Sequence, residues 1–160
     1  MTETLTTNLN SEIGELEGVI LHSPGPEVEN MTPSTVERAL YSDILNLAVA
    51  TKEYDQLKGA LGKITRTFQV KELLIDILSN EKVKKNLIEN ICNNEGVCDL
   101  RTTLSKMPGN ELAAGLIEGI VMEKDNLTRF LNKDRYSLQP LHNFFFTRDA
   151  SVSMGNNVLI

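Results

Sequence analysis

Apolar and polar positions follow strand-like patterns near the start of the chain. GVILHSPG (18–25) is a short apolar run closed by proline and glycine, which predicts a buried strand followed by a turn. Apolar positions then recur at helical spacing, and a helix predicted over 49–61 ends at Gly62. KITRTFQV (63–70) alternates and is rich in β-branched residues, so a second strand is predicted there. The order strand, helix, strand indicates a mixed α/β layer.

The pattern changes in the second half of the chain. From Lys71 to about Lys133, short segments with i, i+3, i+4 apolar spacing predict four or five helices and no strand. After that block, LHNFFFT (141–147) and SVSMGNNVLI (151–160) are rich in β-forming residues. Gly155 to Asn157 separate two short runs and predict a hairpin turn. The pattern therefore favours a helical bundle inserted into an α/β domain.

These patterns divide the chain into three parts. Residues 1–70 are predicted to begin an α/β domain, with a frayed polar leader over residues 1–12. Residues 71–135 are predicted to be the inserted helical bundle, and residues 136–160 a return to the α/β domain that is incomplete at the end of the sequence.

Composition and charge exclude several classes of function. The 160 residues are 41% hydrophobic and 24% charged, as in ordinary globular proteins. A net charge of −6 without a lysine or arginine cluster argues against nucleic-acid binding. No apolar run reaches the roughly 20 residues that span a bilayer, and no secretory signal is evident, so a cytoplasmic protein without membrane contact is expected.

The residues that commonly bind metals or act as nucleophiles form no recognisable site. Cys92 and Cys98 have a spacing that matches no zinc pattern, and they are expected to be reduced thiols. His22 and His142 are the two histidines, and each is expected to be a packed or edge residue. The sequence therefore predicts no metal site.

The segment Phe146-Thr147-Arg148-Asp149 is the strongest chemical candidate. A carboxylate beside three phenylalanines is costly to bury unless it is paired or hydrogen-bonded. One interpretation is a structural ion pair between Arg148 and Asp149. The other is a carboxylate that binds a cationic ligand, because a guanidinium presents a planar fork of donors that a carboxylate accepts in bidentate fashion.

Three stretches together resemble the N-terminal part of bacterial arginine deiminases: SEIGELEGVILHSPG, TPSTVERALYSDI and LQPLHNFFFTRDASVSMGNNVLI. They occur in the family's order, around a helical insert, from about Ser11 to the last residue. The resemblance implies an α/β fold, part of a five-bladed α/β propeller of the pentein type with an inserted helical bundle. It also implies hydrolysis of L-arginine to L-citrulline and ammonia through a covalent cysteine intermediate, with no metal or organic cofactor.

The resemblance assigns roles to four residues. Asp149 matches the catalytic aspartate of the FTRD motif, which binds the substrate guanidinium. Phe146 matches a phenylalanine that packs against substrate, and Asn143 matches the asparagine that contacts the substrate α-carboxylate. Leu40 matches a leucine on a mobile loop that closes over arginine.

The chain departs from the family pattern at two positions beside these residues. His142 stands where the family usually has proline, and Ser42 stands where an acidic residue is usual. The family's nucleophilic cysteine, its His-x-Asp segment and its second guanidinium-binding carboxylate lie beyond the matched region. The chain is therefore expected to be an inactive N-terminal fragment whose partners are L-arginine and the missing C-terminal portion or a complementary chain, with a homo-oligomer also open.

Two alternatives remain open from the sequence. The first is another guanidine-modifying enzyme, such as an amidinotransferase or a dimethylarginine hydrolase, although the helical insert favours a deiminase over the hydrolase. The second is a non-catalytic binding half that requires a second chain. Arginine binding that depends on Asp149 would favour this binding role.

Overall fold

A computed structural model describes residues 6–31, 36, 41, 45–131 and 134–159 of the chain. In chain order its elements are β1 (Gly18–Leu21), α1 (Pro26–Glu29), α2 (Leu47–Leu61), β2 (Arg66–Gln69), α3 (Val70–Ile77), α4 (Glu81–Asn94), a 3-10 helix (Cys98–Leu100), α5 (Arg101–Lys106), α6 (Gly109–Glu118), β3 (Ile120–Val121), α7 (Asn126–Leu131), β4 (Tyr136–Leu138), β5 (Val152–Met154) and β6 (Asn157–Leu159). No helix in the described part of the chain is long and apolar enough to cross a membrane.

The first two strands form a parallel pair. Gly18 lies opposite Arg66 and Leu21 lies opposite Gln69, with α1 and α2 in the connection between the strands. Parallel strands need such a long crossover, because both must run in the same direction. Both strands were predicted from their apolar and β-branched patterns and are confirmed, as is the helix that ends before Gly62. The prediction that the first strand is buried is wrong, because in β1 only Leu21 is buried and Ile20 is exposed.

The helices after β2 enclose the main core of the described residues. Asn80 begins α4 by accepting hydrogen bonds from the backbone N–H groups of Lys82 and Val83. We call the buried cluster between these helices and β4 the helical core; it consists of Leu78, Ile88, Cys92, Leu104, Leu112, Ala113, Leu116 and Leu138.

A short strand interrupts the predicted helical block. Ile120 pairs with Leu138 and Val121 with Tyr136, so β3 and β4 are antiparallel, and the prediction of no strand between Lys71 and Lys133 is wrong. Gly119 ends α6 with a φ of 84°, a backbone conformation that favours glycine. A Cβ atom there would lie 2.9 Å from the backbone nitrogen of Pro140, so glycine also permits this close approach.

The last described elements form the predicted hairpin. Val152 lies opposite Leu159 in the antiparallel pair of β5 and β6, and Gly155 adopts a φ of 55° in the turn. Leu9 forms a bridge to Gly155, with nitrogen-to-oxygen distances of 2.9 and 2.7 Å. The segment near residue 9 is therefore bonded to this hairpin. This differs from the prediction of a frayed leader over residues 1–12.

The aromatic segment before the hairpin is not a strand. Residues 141–147 were predicted to be β-structure, but they form successive turns. The backbone N–H of Phe144 donates to the carbonyl of Leu141, and that of Phe146 donates to the carbonyl of Asn143. These local bonds fold the segment into turns instead of an extended strand. We refer to residues 139–150 as the aromatic loop.

Candidate functional site

The aromatic loop forms most of the wall of a cavity of about 510 Å³. The cavity is lined by Val70, Gln139, Pro140, Leu141, His142, Asn143, Phe144, Phe146, Thr147 and Ala150. Apolar side chains with a few polar groups are typical of small-molecule pockets. Asn143 and Phe146, two of the residues singled out in the sequence, therefore share one cavity.

Three contacts hold the aromatic loop against the end of β1 and against α1. The ring of Phe144 meets that of His22 edge-on, with centroids 4.9 Å apart and planes at 71°. The Thr147 hydroxyl donates to the carbonyl of Ile20 at 3.2 Å. On the other side, His142 Nδ1 lies 2.5 Å from the carbonyl oxygen of Glu27. These contacts fix the loop by side chains rather than by strand pairing.

Glu27 lies at the centre of this attachment and is 1% exposed. Its Oε1 accepts hydrogen bonds from the backbone N–H of Gly25 at 2.7 Å and from His22 Nε2 at 3.1 Å. Burial raises the pKa of the Glu27 carboxyl, but the hydrogen bonds from His22 and the backbone together with the charge of His22 outweigh it, so that pKa lies below its ordinary value of 4.5. Glu27 is thus a buried, hydrogen-bonded carboxylate.

The sequence analysis did not single out Glu27. Two signals were available. Glu27 lies in the first turn of a helix that begins with Pro26, and it comes five residues after His22, which was predicted to be a packed or edge residue. His22 and His142 are 3% and 8% exposed, so of the predicted packed or edge positions both take the packed one.

The turn that contains His22 is held by two more side chains. Gln69 Oε1 accepts hydrogen bonds from the backbone N–H of Ser23 at 3.0 Å and from its hydroxyl at 3.2 Å. The Tyr54 hydroxyl accepts the backbone N–H of His22 at 3.1 Å. A helix (α2) and a strand (β2) therefore both fix the position of the turn on which the aromatic loop rests.

Asp149 lies beside the cavity without lining it. It is exposed, and its neighbours along the chain, Thr147 and Ala150, line the cavity. Arg148 also is exposed and lies 3.9 Å from Glu12, whose side chain is exposed too. Within the described residues the structure gives no Arg148–Asp149 ion pair, so the carboxylate of Asp149 is not neutralised by its neighbour.

Leu40 lies outside the described residues, but the next residue contacts the site. The Tyr41 ring stacks near that of Phe146, with centroids 6.4 Å apart and planes at 26°, and near Phe145 at 6.5 Å. Its hydroxyl lies 3.4 Å from the carbonyl oxygen of His142. Burial raises the pKa of Tyr41 to about 12, so this hydroxyl keeps its proton near neutral pH.

Neither cysteine lines the cavity. Cys92 is fully buried in the helical core, while Cys98 is exposed, and both are free thiols. The Cys98 thiol lies 3.6 Å from the carbonyl oxygen of Cys92. Over the described ranges, no group of three or more His, Cys, Asp or Glu side chains is arranged to hold a metal ion.

The chain matches no protein-family model. It is similar along its length to curated proteins named arginine deiminase. The protein of Borrelia recurrentis (strain A1) is 32% identical over an aligned length of 169 residues, gaps included, and the alignment covers 96% of this chain and 41% of that protein. The protein of Oenococcus oeni is 32% identical over an aligned length of 175 residues, gaps included, and the alignment covers 100% of this chain and 42% of that protein. The protein of Lactococcus lactis subsp. cremoris is 31% identical over 96% of this chain and 41% of its own length. The chain thus spans about two-fifths of these relatives.

Proposed function

Over its own length the chain belongs to the arginine deiminase family, and on this basis we propose that it is the N-terminal portion of an enzyme that hydrolyses L-arginine to L-citrulline and ammonia. The observation that carries the proposal is the similarity to several such proteins over 96 to 100% of this chain. The proposed fold is part of a five-bladed α/β propeller, with residues 71–135 as its inserted helical bundle.

The cavity beside the aromatic loop is the proposed arginine site. Asp149 would bind the guanidinium, since an exposed and unneutralised carboxylate beside an apolar cavity attracts a planar cation. Phe146 would pack against the aliphatic part of the substrate, and Asn143 would donate to its α-carboxylate. Leu40 would cover the bound substrate and exclude water, which strengthens the charge pairing with Asp149.

The nucleophile is proposed to come from a part of the enzyme outside these 160 residues. A cysteine thiolate would attack the guanidinium carbon, one amino group of the adduct would take up a proton and leave as ammonia, and water would hydrolyse the covalent intermediate to citrulline and free thiol. Cys92 and Cys98 are poor candidates, because one is buried among leucines and the other belongs to the helices around the helical core. In this scheme the present chain binds and orients the substrate.

The proposal is tested by replacing the carboxylate of Asp149. We expect Asp149→Asn in the complete enzyme to reduce kcat/KM for citrulline formation about 100-fold or more, because the guanidinium loses a charged partner. Asp99→Asn is the matched control, since Asp99 is also exposed and does not line the cavity. Near-normal turnover by Asp149→Asn, or an equal loss in Asp99→Asn, contradicts the assignment.

A further inference from the structure

His142 combines deep burial with a position on the cavity wall. It is 8% exposed, and it lines the cavity together with Asn143 and Phe146. Its Nδ1 lies 2.5 Å from the carbonyl oxygen of Glu27, while its Nε2 is buried and has no hydrogen-bond partner among the described residues. A buried polar atom without a partner is costly, so a ligand that supplied a donor to Nε2 would remove that cost.

The contact with Glu27 decides which nitrogen of His142 carries the proton. A backbone carbonyl can only accept a hydrogen bond, so Nδ1 must be the donor. In a neutral imidazole the other nitrogen is then an acceptor with a free lone pair. Because Nδ1 is directed at Glu27, Nε2 is the ring nitrogen that is left for a ligand that reaches His142 from the cavity.

We propose that His142 is a ligand-binding residue whose Nε2 accepts a hydrogen bond from an N–H group of a guanidinium or ammonium compound in this cavity. The identity of that ligand as L-arginine rests on the proposed function. A bare acceptor suits such ligands because every nitrogen of a guanidinium is a donor. Asp149 and His142 would then contact the ligand from two positions along the aromatic loop, one with a charge and one with a neutral acceptor.

His22 provides an internal comparison. It is also buried and its Nδ1 has no partner among the described residues, but His22 does not line the cavity. Its Nε2 is bonded to the Glu27 carboxylate. A ligand in the cavity is therefore expected to affect the ring of His142 and to leave the ring of His22 unchanged.

The test uses nitrogen NMR of the histidine rings in the 160-residue chain. The chain has two histidines, so a sample labelled with ¹⁵N at the rings gives two sets of signals, and His142→Asn assigns them. The ¹⁵N shifts report which nitrogen of each ring carries the proton. L-arginine is then added, and its affinity is measured from the movement of the His142 Nε2 signal and by calorimetry.

Two substitutions separate the structural bond of His142 from its ligand contact. His142→Asn keeps an N–H donor near the position of Nδ1, where it can still bond the Glu27 carbonyl, but it removes the acceptor. His142→Gln places an amide near the position of Nε2 and removes the bond to Glu27. We expect His142→Asn to melt near the wild-type temperature and to bind arginine roughly tenfold more weakly. His142→Gln should lose stability and bind more tightly than His142→Asn.

The outcomes distinguish this inference from the proposed function. A protonated Nε2 in the free chain, or wild-type arginine affinity in His142→Asn, overturns the role of His142 even if Asp149→Asn abolishes binding. Failure of the wild-type chain to bind arginine removes L-arginine as the ligand of this chain alone, and the proposed function is then decided by Asp149→Asn in the complete enzyme. In that case a titration with guanidinium chloride at low concentration decides: saturable movement of the Nε2 signal supports His142 as an acceptor, and no movement overturns it. If His142→Asn does not fold, the wild-type titration with its His22 comparison decides alone.

Discussion

The helical core and the terminal hairpin of β5 and β6 contain the same kinds of side chain but bury them to very different extents. Leu104 and Leu112 in the helical core are 0% exposed. Met154 and Leu159 in the hairpin are 60% and 57% exposed. The helices supply apolar partners for one another, whereas the hairpin is held by polar bonds, namely the bridge to Leu9 and a hydrogen bond from the Thr7 hydroxyl to the carbonyl of Asn156.

This difference indicates where the stability of the chain is located and where its interactions are to be sought. Apolar area removed from water stabilises the helical core. A cluster of exposed apolar side chains on a hairpin is typical of a surface that contacts another part of a protein. The proposed function accounts for this, since a propeller would supply further strands beside the hairpin.

The largest expected loss of stability comes from a substitution in the helical core. Leu112→Ala should lower the free energy of unfolding by about 3 kcal/mol, because it removes a fully buried side chain and leaves a cavity. Leu159→Ala, the same chemical change in the hairpin, should lower it by less than about 0.5 kcal/mol. Urea unfolding monitored by circular dichroism measures both. Equal losses would show that the two regions are equally packed.

A smaller effect is expected at Glu27, which joins the aromatic loop to the end of β1. Glu27→Gln should lower the free energy of unfolding by about 2 kcal/mol, because a neutral amide replaces a buried carboxylate that accepts bonds from Gly25 and His22. Glu29→Gln is the matched control on the same helix, since Glu29 is exposed. If the two variants unfold at the same urea concentration, Glu27 contributes no more to stability than the exposed Glu29.

The pH dependence of stability provides a further test of Glu27. Its pKa is lower in the folded chain than the ordinary value of 4.5, so its contribution is present above that value and is lost as the pH falls through the folded pKa. Unfolding free energies measured from pH 7 down to about 3 should therefore fall more steeply in the wild type than in Glu27→Gln. If the free energies of unfolding of the two proteins fall in parallel with pH, the hydrogen bonds to the Glu27 carboxylate do not stabilise the folded chain.

The smallest effect concerns the bridge that holds the hairpin. Leu9→Pro removes the N–H that donates to the carbonyl of Gly155. With half of the bridge lost, the remaining bond from the Gly155 N–H to the Leu9 carbonyl should open more often, so the Gly155 amide should exchange with solvent faster and stability should fall by about 1 kcal/mol. Leu9→Ala keeps the backbone bond and should retain slow exchange of that amide. Hydrogen exchange followed by NMR separates the two variants, and unchanged exchange in Leu9→Pro would show that the bridge does not hold the hairpin.

Local sequence signals were sufficient for several elements. The strand that contains Leu21, the helix that ends before Gly62 and the hairpin around Gly155 each have apolar spacing or a turn residue that dictates the structure. Asn143 and Phe146 were singled out from the resemblance to the family, and both line the cavity. Their roles toward a substrate remain predictions.

Tertiary contacts decided the features that the sequence did not reveal. Ile120 and Val121 form a strand only because Tyr136 and Leu138 pair with them, and two residues are too few to show a period. The three phenylalanines of the aromatic loop favour strands by propensity, but their rings pack on His22 and Tyr41 from turns. The importance of Glu27 depends on partners as distant in sequence as His142, 115 positions away.

We call the segment from Val70 to Gln139, which contains α3 to α7, the helical run. It begins and ends beside one cavity, because Val70 and Gln139 both line that cavity. This arrangement has a consequence for the order of folding. Contacts among neighbouring helices are local in sequence and form quickly, whereas joining Glu27 to His142 through an unfolded chain requires closing a long loop. Once the helical run has formed, its ends are already adjacent and the effective loop is much shorter. We therefore expect the helices to fold first and to accelerate the assembly of the cavity.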